Sequence, residues 1–148
     1  MKLSVWYSTA CLALIAYTMF GSVTPVCAQA EPAGAKGSSG TEITLLMKKT
    51  LSGIAGKESM MLTIEYAPGA SSSKHRHNAH TFVYVLEGSI VMQVEGEQAV
   101  TVAAGQTFYE SPRDIHAVSK NASATERAKF LVFLVKDEGK PILVPVEE

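Results

Sequence analysis

From Thr41 onward, the chain consists of short stretches of alternating apolar and polar residues, separated by turn-forming residues. The turn signals include Pro68-Gly69, Glu87-Gly88 and Ala104-Gly105. No segment has the period of a long amphipathic helix. Many short strands in a chain of this size indicate an all-β fold, either a sandwich or a barrel. The predicted strands are rich in β-branched and aromatic residues and cover residues 43–47, 60–66, 81–86, 89–94, 99–102, 106–109, 116–119 and 130–135.

The first thirty residues have the pattern of an export signal rather than that of a folded domain. Lys2 precedes an apolar run over residues 3–20, and residues 28–30, Ala-Gln-Ala, match a small-residue cleavage site. We therefore expect a signal peptide over residues 1–30. The mature chain would be exported, periplasmic or secreted, with no stable membrane insertion after cleavage. An uncleaved membrane anchor is the alternative.

The remaining chain is long enough for one domain and too short for two. Residues 31–40 are rich in glycine, alanine and serine, which predicts a flexible leader before a domain over residues 41–148. Both cysteines, Cys11 and Cys27, fall in the signal segment, so the mature domain has no disulfide and no thiolate ligand. The formal net charge of −1 is too small to indicate a nucleic-acid surface.

All four histidines of the chain lie between positions 75 and 116. Imidazole is the commonest metal ligand among side chains, and His75 and His77 project from the same face of an extended strand. A third ligand must then come from another strand. His116 is the candidate, because it follows the turn at Gly105 and the loop at Pro112. One such histidine alone is more often an ordinary core or surface residue, but three at this spacing predict a metal site.

The spacing around the paired histidines resembles the first sequence motif of the cupin superfamily. Five residues separate Gly69 from His75, one separates His75 from His77, three separate His77 from Thr81, and six separate Thr81 from Gly88. Every spacing agrees with that motif. The departure is Thr81, which lies where cupins usually have a metal-binding glutamate.

The segment that begins at Gly105 resembles the second cupin motif, with His116 at the usual spacing. Three positions depart from the motif. Pro112 lies one place late, Arg113 replaces a usual glycine, and Asn121 lies one place beyond the usual asparagine. The resemblance implies a single-domain cupin double-stranded β-helix, which is a jelly-roll β-barrel.

The resemblance also implies a divalent transition metal ion inside the barrel, such as Fe, Mn, Zn, Ni or Cu. Its ligands would be His75, His77 and His116, as in the three-histidine iron sites of some cupin dioxygenases. Thr81 is a poor ligand unless it is deprotonated, so we expect it to hydrogen-bond a water at the open coordination position. His80 faces away from the lumen in a regular strand, which favours a solvent-exposed or supporting role, whereas a local bulge would make it a ligand.

Loss of the motif glutamate would raise the net charge of the metal site by one unit, which favours an anionic or enolic ligand. Glu110 is a conceivable substitute carboxylate, but its distance from the motif position makes this a remote alternative. Lys74 and Arg76 are expected to be solvated rather than to form a positive rim around the site.

Two classes of function stay open from the sequence. The first is a metal-dependent oxygenase acting on a small oxygenated or aromatic molecule, with the metal as Lewis acid and template for oxygen. The second is a non-catalytic module that binds a metal or a small ligand. Other than the histidines, no acid or base lies at the motif positions, which weakens the hydrolase and isomerase interpretations.

The strand over residues 81–86 also predicts an assembly. If Thr81 faces the lumen, then Phe82, Tyr84 and Leu86 face outward as an apolar stripe. We expect the strand over residues 43–47 to cover part of this stripe. Since a small domain has few other elements that could cover it, we expect a homodimer that buries the rest.

Overall fold

The computed structural model describes residues 35–36 and 40–146 of the chain. This part of the chain consists of strands and turns, without a helix. In the same residues, no helix is long and apolar enough to cross a membrane. The strands are β1 (Ala35–Lys36), β2 (Thr41–Thr50), β3 (Lys57–Tyr66), β4 (Ser71–Ser72), β5 (His75–Arg76), β6 (Ala79–Glu87), β7 (Ser89–Val94), β8 (Val100–Ala103), β9 (Thr107–Glu110), β10 (His116–Asn121), β11 (Ala128–Asp137) and β12 (Val144–Pro145).

The strands form two antiparallel sheets that pack face to face. The first sheet has the order β1-β2-β3-β11-β6-β9, and the second has the order β12-β5-β10-β7-β8, with β4 also paired to β10. Strands that follow each other in the chain often lie in different sheets, as β5 and β6 do. This arrangement is the jelly-roll barrel that the sequence predicted. It allows side chains from both sheets to meet in one interior.

Strand parity decides which side chains enter that interior. Along β6, Thr81, Val83 and Val85 are buried whereas Phe82 and Tyr84 are exposed, as the predicted alternation requires. β11 alternates in the same way along its whole length. The buried apolar residues of both sheets form one core, whose largest fully buried members include Tyr66, Ile90, Met92 and Leu134.

All eight predicted strands are present, and most extend further than predicted at one or both ends. The predicted strands do not include β1, β4 and β12, which are each two residues long and therefore too short to have a recognisable period. β5, also two residues long, lies where the histidine pair is predicted to be on an extended strand. β1 falls inside the segment predicted as a flexible leader, where it pairs with β2. The predicted signal peptide over residues 1–30 lies outside the described residues.

The outer face of the first sheet has a row of large apolar side chains. Cross-strand pairing aligns Tyr109 with Phe82, Phe82 with Phe133, Phe133 with Met61, and Met61 with Met47. Cross-strand partners project from the same face, so the row spans the sheet from β9 to β2. The expectation that the first predicted strand covers the stripe is wrong, because β2 extends the sheet beside β3 and adds to the apolar face.

A buried ion cluster joins β2, β3 and β11. Glu58 and Lys136 are cross-strand partners with side chains that are almost fully buried, and the Lys136 Nζ donates to Glu58 Oε1. Lys48 Nζ lies 3.0 Å from the other carboxylate oxygen of Glu58. Lys136 Nζ also donates to the main-chain carbonyls of Asp137 and Lys140. The two lysines, Lys136 first, hold the pKa of Glu58 below its ordinary value.

Candidate metal centre

The paired histidines lie on β5 and on the short connection between β5 and β6. His75 is buried and His77 is half-buried, while Arg76 between them is exposed, so both imidazoles turn toward the interior as strand parity requires. Asn78 follows with a φ of 47°, a left-handed conformation that asparagine adopts more readily than most residues. This turn redirects the chain into β6.

Each of the two imidazoles is oriented by a main-chain carbonyl. His75 Nδ1 lies 2.7 Å from the Ser73 carbonyl oxygen, and His77 Nδ1 lies 2.8 Å from the Ile142 carbonyl oxygen. A carbonyl oxygen only accepts hydrogen bonds, so both Nδ1 atoms have the hydrogen and donate it. The two Nε2 atoms then have lone pairs, and they lie 3.3 Å from each other. Facing lone pairs repel unless a cation lies between them, which is the arrangement of two metal ligands.

The third imidazole comes from β10. His116 is the cross-strand partner of His75, and the centroids of the two rings are 5.1 Å apart. Its side chain is buried and stacks on Phe108, with a centroid distance of 6.3 Å. The candidate ligand atoms of His75, His77 and His116 all lie within 4.8 Å of one another. The structure therefore brings together the three histidines that the sequence pattern assigned to one ion.

Burial keeps these imidazoles in the neutral form. Desolvation lowers the pKa of His116 to about 3 and the pKa of His77 to about 4, and it also lowers the pKa of His75. A charge on His75 would lower the pKa of either neighbour further. Neutral imidazole is the form that binds metals, so the cluster suits a cation better than it suits a proton.

A carboxylate enters the same site from the opposite sheet. Thr81 on β6 and Glu110 on β9 are cross-strand partners, and both side chains are buried. Glu110 Oε1 lies 3.3 Å from His116 Nδ1, and Glu110 Oε2 lies 3.6 Å from His77 Nε2. The sequence reasoning considered Glu110 a remote alternative because of its distance along the chain. The register between β6 and β9 places it next to the motif position.

Several buried polar atoms in this cluster have no hydrogen-bond partner among the described residues. They are both ring nitrogens of His116, Oε1 of Glu110 and Oγ1 of Thr81. Burial, together with the charge of Asp114, raises the pKa of Glu110 to about 8. An unpartnered buried polar atom costs about 1–3 kcal/mol. A divalent cation would be a partner for the nitrogen and oxygen lone pairs, and imidazole with carboxylate suits Mn, Fe, Ni, Cu and Zn. The residues therefore fit a divalent transition metal.

The histidines line a cavity of about 150 Å³ between the two sheets. Its other walls are mostly apolar and come from both sheets and from the segment before β12. Polar residues also line this space, among them Tyr66, whose hydroxyl lies 2.6 Å from Ser72 Oγ and 2.8 Å from Ser119 Oγ. The apolar residues of the wall include Leu62, Val83, Met92, Phe130, Val132 and Ile142.

Three residues considered from the sequence lie outside the cluster. His80 is exposed on the outer face of β6, and its Nδ1 lies 2.8 Å from the Tyr109 hydroxyl. The alternation along β6 is regular at this point, so no bulge turns His80 inward. Lys74 Nζ lies 2.5 Å from a carboxylate oxygen of Glu95, and Arg76 is exposed. Neither basic side chain contacts the imidazoles.

The sequence pattern does not reveal that Glu110 lies beside the histidines or that the Ile142 carbonyl contacts His77. Glu110 has a local signal, since a carboxylate in the inward position of a short strand is uncommon, but only the sheet order shows what it faces. Ile142 contributes through its carbonyl oxygen, which no side-chain pattern reveals. A contact between the C-terminal segment and the first motif depends on the pairing of β12 with β5.

The comparison with known families agrees with this geometry. A family model described as the cupin domain matches residues 62–134, which contain the two motifs. A comparison with curated proteins finds no match. The chain belongs to the cupin superfamily.

Solved structures of similar fold come from several kinds of protein. An RmlC-like cupin from Shewanella frigidimarina is 19% identical over 73% of this chain and 86% of that chain, with a TM-score of 0.56. The polyketide cyclase RemF from Streptomyces resistomycificus is 21% identical over 76% and 78%, with a TM-score of 0.53. An oxalate oxidase in complex with the substrate analogue glycolate is 23% identical over 58% and 45%, with a TM-score of 0.50. At these identities the likeness concerns the fold alone.

Proposed function

We propose that this protein is a metal-dependent oxygenase that acts on a small oxygenated or aromatic molecule. The observation that carries the proposal is the convergence of three neutral imidazoles, from His75, His77 and His116, on the wall of a small cavity. These histidines would hold a divalent transition metal, which would supply a Lewis acid and a template for dioxygen and substrate.

The residues of this chain have separable roles in that chemistry. The carbonyls of Ser73 and Ile142 hold the hydrogen on Nδ1 of the paired histidines and keep each Nε2 directed at the site. The apolar walls of the cavity, such as Val83 and Phe130, exclude water and strengthen the electrostatic interactions of a bound ligand. Tyr66 also lines the cavity, and hydrogen bonds with the Ser72 and Ser119 hydroxyls fix the position of its own hydroxyl.

The size of the cavity limits the substrate. A cavity of about 150 Å³ has the volume of an engineered apolar cavity that binds benzene, so a ligand of roughly six heavy atoms fits. Glycolate, the substrate analogue bound to the oxalate oxidase of similar fold, is small enough for this space. The cavity volume supports a small oxygenated acid or a single aromatic ring as substrate.

The test uses purified protein from which metal has been removed and to which Fe²⁺ or Mn²⁺ is returned. A panel of small hydroxy acids, keto acids and phenols is first bound without oxygen, and oxygen consumption is then followed. We expect metal-dependent uptake with at least one compound, and no uptake by His116→Ala. If a compound binds but none of the metals supports oxygen uptake, the protein is a non-catalytic binding module.

We also propose that the chain is exported and acts as a homodimer. Export is supported by the apolar segment after Lys2 and the Ala-Gln-Ala sequence at residues 28–30. The homodimer is supported by the apolar row on the outer face of the first sheet, in which Phe82 and Tyr109 are almost half exposed. Mass spectrometry of the protein recovered from its cell of origin tests the cleavage, with Glu31 expected as the first residue.

A further inference from the structure

A carboxylate and three imidazoles meet at this site, although the carboxylate does not come from the motif position that usually provides it. We propose that Glu110 on β9 is the fourth protein ligand of the metal. It takes the place of the motif glutamate, because position 81 on the neighbouring strand β6 is a threonine in this chain. The inference rests on the proposed metal site of His75, His77 and His116 and adds a ligand to it.

The register of the first sheet allows Glu110 to take the place of a glutamate at position 81. Thr81 and Glu110 are directly opposite each other on β6 and β9, so their side chains leave the sheet on the same face and toward the same space. Threonine is short and leaves room, whereas glutamate is long enough to reach the imidazoles of the opposite sheet. A glutamate at position 81 and Glu110 would compete for the same coordination position of the metal.

The distances agree with a shared ion. Ligand atoms bind transition metals at about 2.0–2.2 Å, so atoms in neighbouring coordination positions lie roughly 3 Å apart. The two Nε2 atoms of His75 and His77 are separated by 3.3 Å, Glu110 Oε1 and His116 Nδ1 by 3.3 Å, and Glu110 Oε2 and His77 Nε2 by 3.6 Å. Within residues 40–146, the charged or chargeable nitrogen atoms within 4 Å of the Glu110 carboxylate belong to imidazoles, and no lysine or arginine partners it.

Among the described residues, neither a lysine or arginine nor a hydrogen-bond donor to Oε1 accounts for the burial of Glu110. The side chain is 2% exposed, and its Oε1 has no hydrogen-bond partner. A carboxylate is almost never buried in this way without a cation or a set of hydrogen-bond donors. With Glu110 as a ligand, the metal site regains the negative charge that is missing because position 81 is threonine instead of glutamate.

The alternative is that Glu110 only orients His116 by accepting a hydrogen bond from its Nδ1. Glu110→Gln separates the two roles, because an amide oxygen can accept such a hydrogen bond as a carboxylate can, but it is a weak metal ligand. If Glu110 is a ligand, the variant should bind Mn²⁺ at least about tenfold more weakly, with a smaller loss for Ni²⁺, since carboxylate favours Mn²⁺ and imidazole suits Ni²⁺. Unchanged Mn²⁺ affinity overturns the inference.

A double variant that moves the carboxylate from β9 to β6 is the sharper test. In Thr81→Glu/Glu110→Thr the carboxylate comes from β6 instead of β9, and the Mn²⁺ affinity should return to within a few-fold of the wild-type value. A role of Glu110 in orientation alone would not be restored. Two controls are Thr81→Val, which removes only the hydroxyl, and Glu97→Gln, which removes an exposed carboxylate outside the site.

Binding is measured by titration calorimetry and by the Mn²⁺ electron paramagnetic resonance signal, with circular dichroism to show that each variant is folded. If the double variant does not fold, the visible spectrum of Co²⁺ in Glu110→Gln decides, because loss of a ligand changes its intensity and an orientation role does not. If folded wild-type protein binds no metal, the proposed function fails. If wild type binds one ion and Glu110→Gln binds it equally well, only ligation by Glu110 fails.

Discussion

The Nε2 atoms of His75 and His77 face each other at 3.3 Å, and each has a lone pair because the Nδ1 hydrogens are donated to carbonyl oxygens. Two neutral imidazoles in this arrangement repel each other in the absence of a cation. Protonation does not relieve the repulsion easily, because burial lowers the pKa of His77 to about 4. The pair therefore has the geometry of two ligands that could hold one metal ion.

The first prediction concerns the metal content of histidine variants. His75→Ala, His77→Ala and His116→Ala should each lose most of the bound metal, measured by elemental analysis after dialysis, because each removes a neutral nitrogen donor from the cluster. His80→Ala is the matched control, since His80 lies on the outer face beside Tyr109, and it should keep the wild-type stoichiometry. Full metal content in a triple alanine variant would place the ion elsewhere.

The inward direction of the histidines could be predicted from the sequence because it depends on local geometry. Strand parity is a property of consecutive residues, so the alternation of β6 and the shared face of His75 and His77 follow from the chain itself. Motif spacing then identified His116 as their partner, and its cross-strand pairing with His75 agrees with this.

The opposite wall of the site could not be predicted in this way. The position of Glu110 depends on the pairing of β6 with β9, and the orientation of His77 depends on a carbonyl in the segment after β11. Both contacts join residues that are far apart in the chain, and they follow from sheet order and register rather than from any local period. Residue spacing within one motif therefore could not show that Glu110 lies beside the histidines.

The second prediction concerns the C-terminal segment. A chain that ends at Pro141 loses the Ile142 carbonyl and β12, so the His77 ring loses the acceptor that fixes its orientation. Partners of this kind contribute about 10–100-fold to metal affinity, and we expect a loss of that size in titration calorimetry. Ile142→Ala keeps the carbonyl and should bind metal nearly as well as wild type. An equal loss in both variants would assign the effect to the Ile142 side chain.

The third prediction concerns the turn between β6 and β7. Gly88 has a φ of 69°, and a Cβ atom at this position would lie 2.6 Å from the Arg127 carbonyl oxygen. Gly88→Ala combines left-handed strain with a main-chain clash, and it should lower the free energy of unfolding by about 1–3 kcal/mol or more in urea. Gly96→Ala, also at positive φ but with nothing within 4 Å, should cost less. Equal losses would mean that the clash is relieved without cost.

The fourth prediction is a pH dependence that does not involve the metal site. Lys136 and Lys48 lower the pKa of Glu58 below its unfolded value of 4.5, so the ion cluster stabilises the fold above that pH. Its contribution is lost as the pH falls through the folded pKa, because the folded state must then take up a proton that breaks the pairing. Glu58→Gln should therefore be much less stable than wild type at pH 7 and differ from it less at pH 3.

Urea unfolding at several pH values, followed by circular dichroism, measures this difference. Glu97→Gln, in an exposed turn, is the matched control and should show a small and nearly constant difference from wild type. A gap between Glu58→Gln and wild type that stays the same from pH 3 to pH 7 would show that the Glu58 charge does not stabilise the fold.

The last prediction concerns the proposed homodimer. The apolar row on the outer face borders a groove of about 520 Å³ between Phe82, Tyr84, Tyr109, Leu131 and Phe133. Aromatic side chains project beside this groove on the same surface. In a two-fold dimer, the aromatic side chains of each copy can therefore enter the groove of the other copy. Burial of large side chains that are now about half exposed would stabilise this contact.

Analytical ultracentrifugation of the chain from Glu31 onward should show a dimer at micromolar concentrations. Tyr84→Glu places a charge in the middle of the face and should give monomers, because a desolvated carboxylate without a partner opposes association. Thr101→Glu adds the same charge on an exposed position of β8 in the other sheet and should stay dimeric. A wild-type chain that is monomeric at high micromolar concentration, with Tyr84→Glu equally soluble, would show that the apolar face does not pair with a second copy.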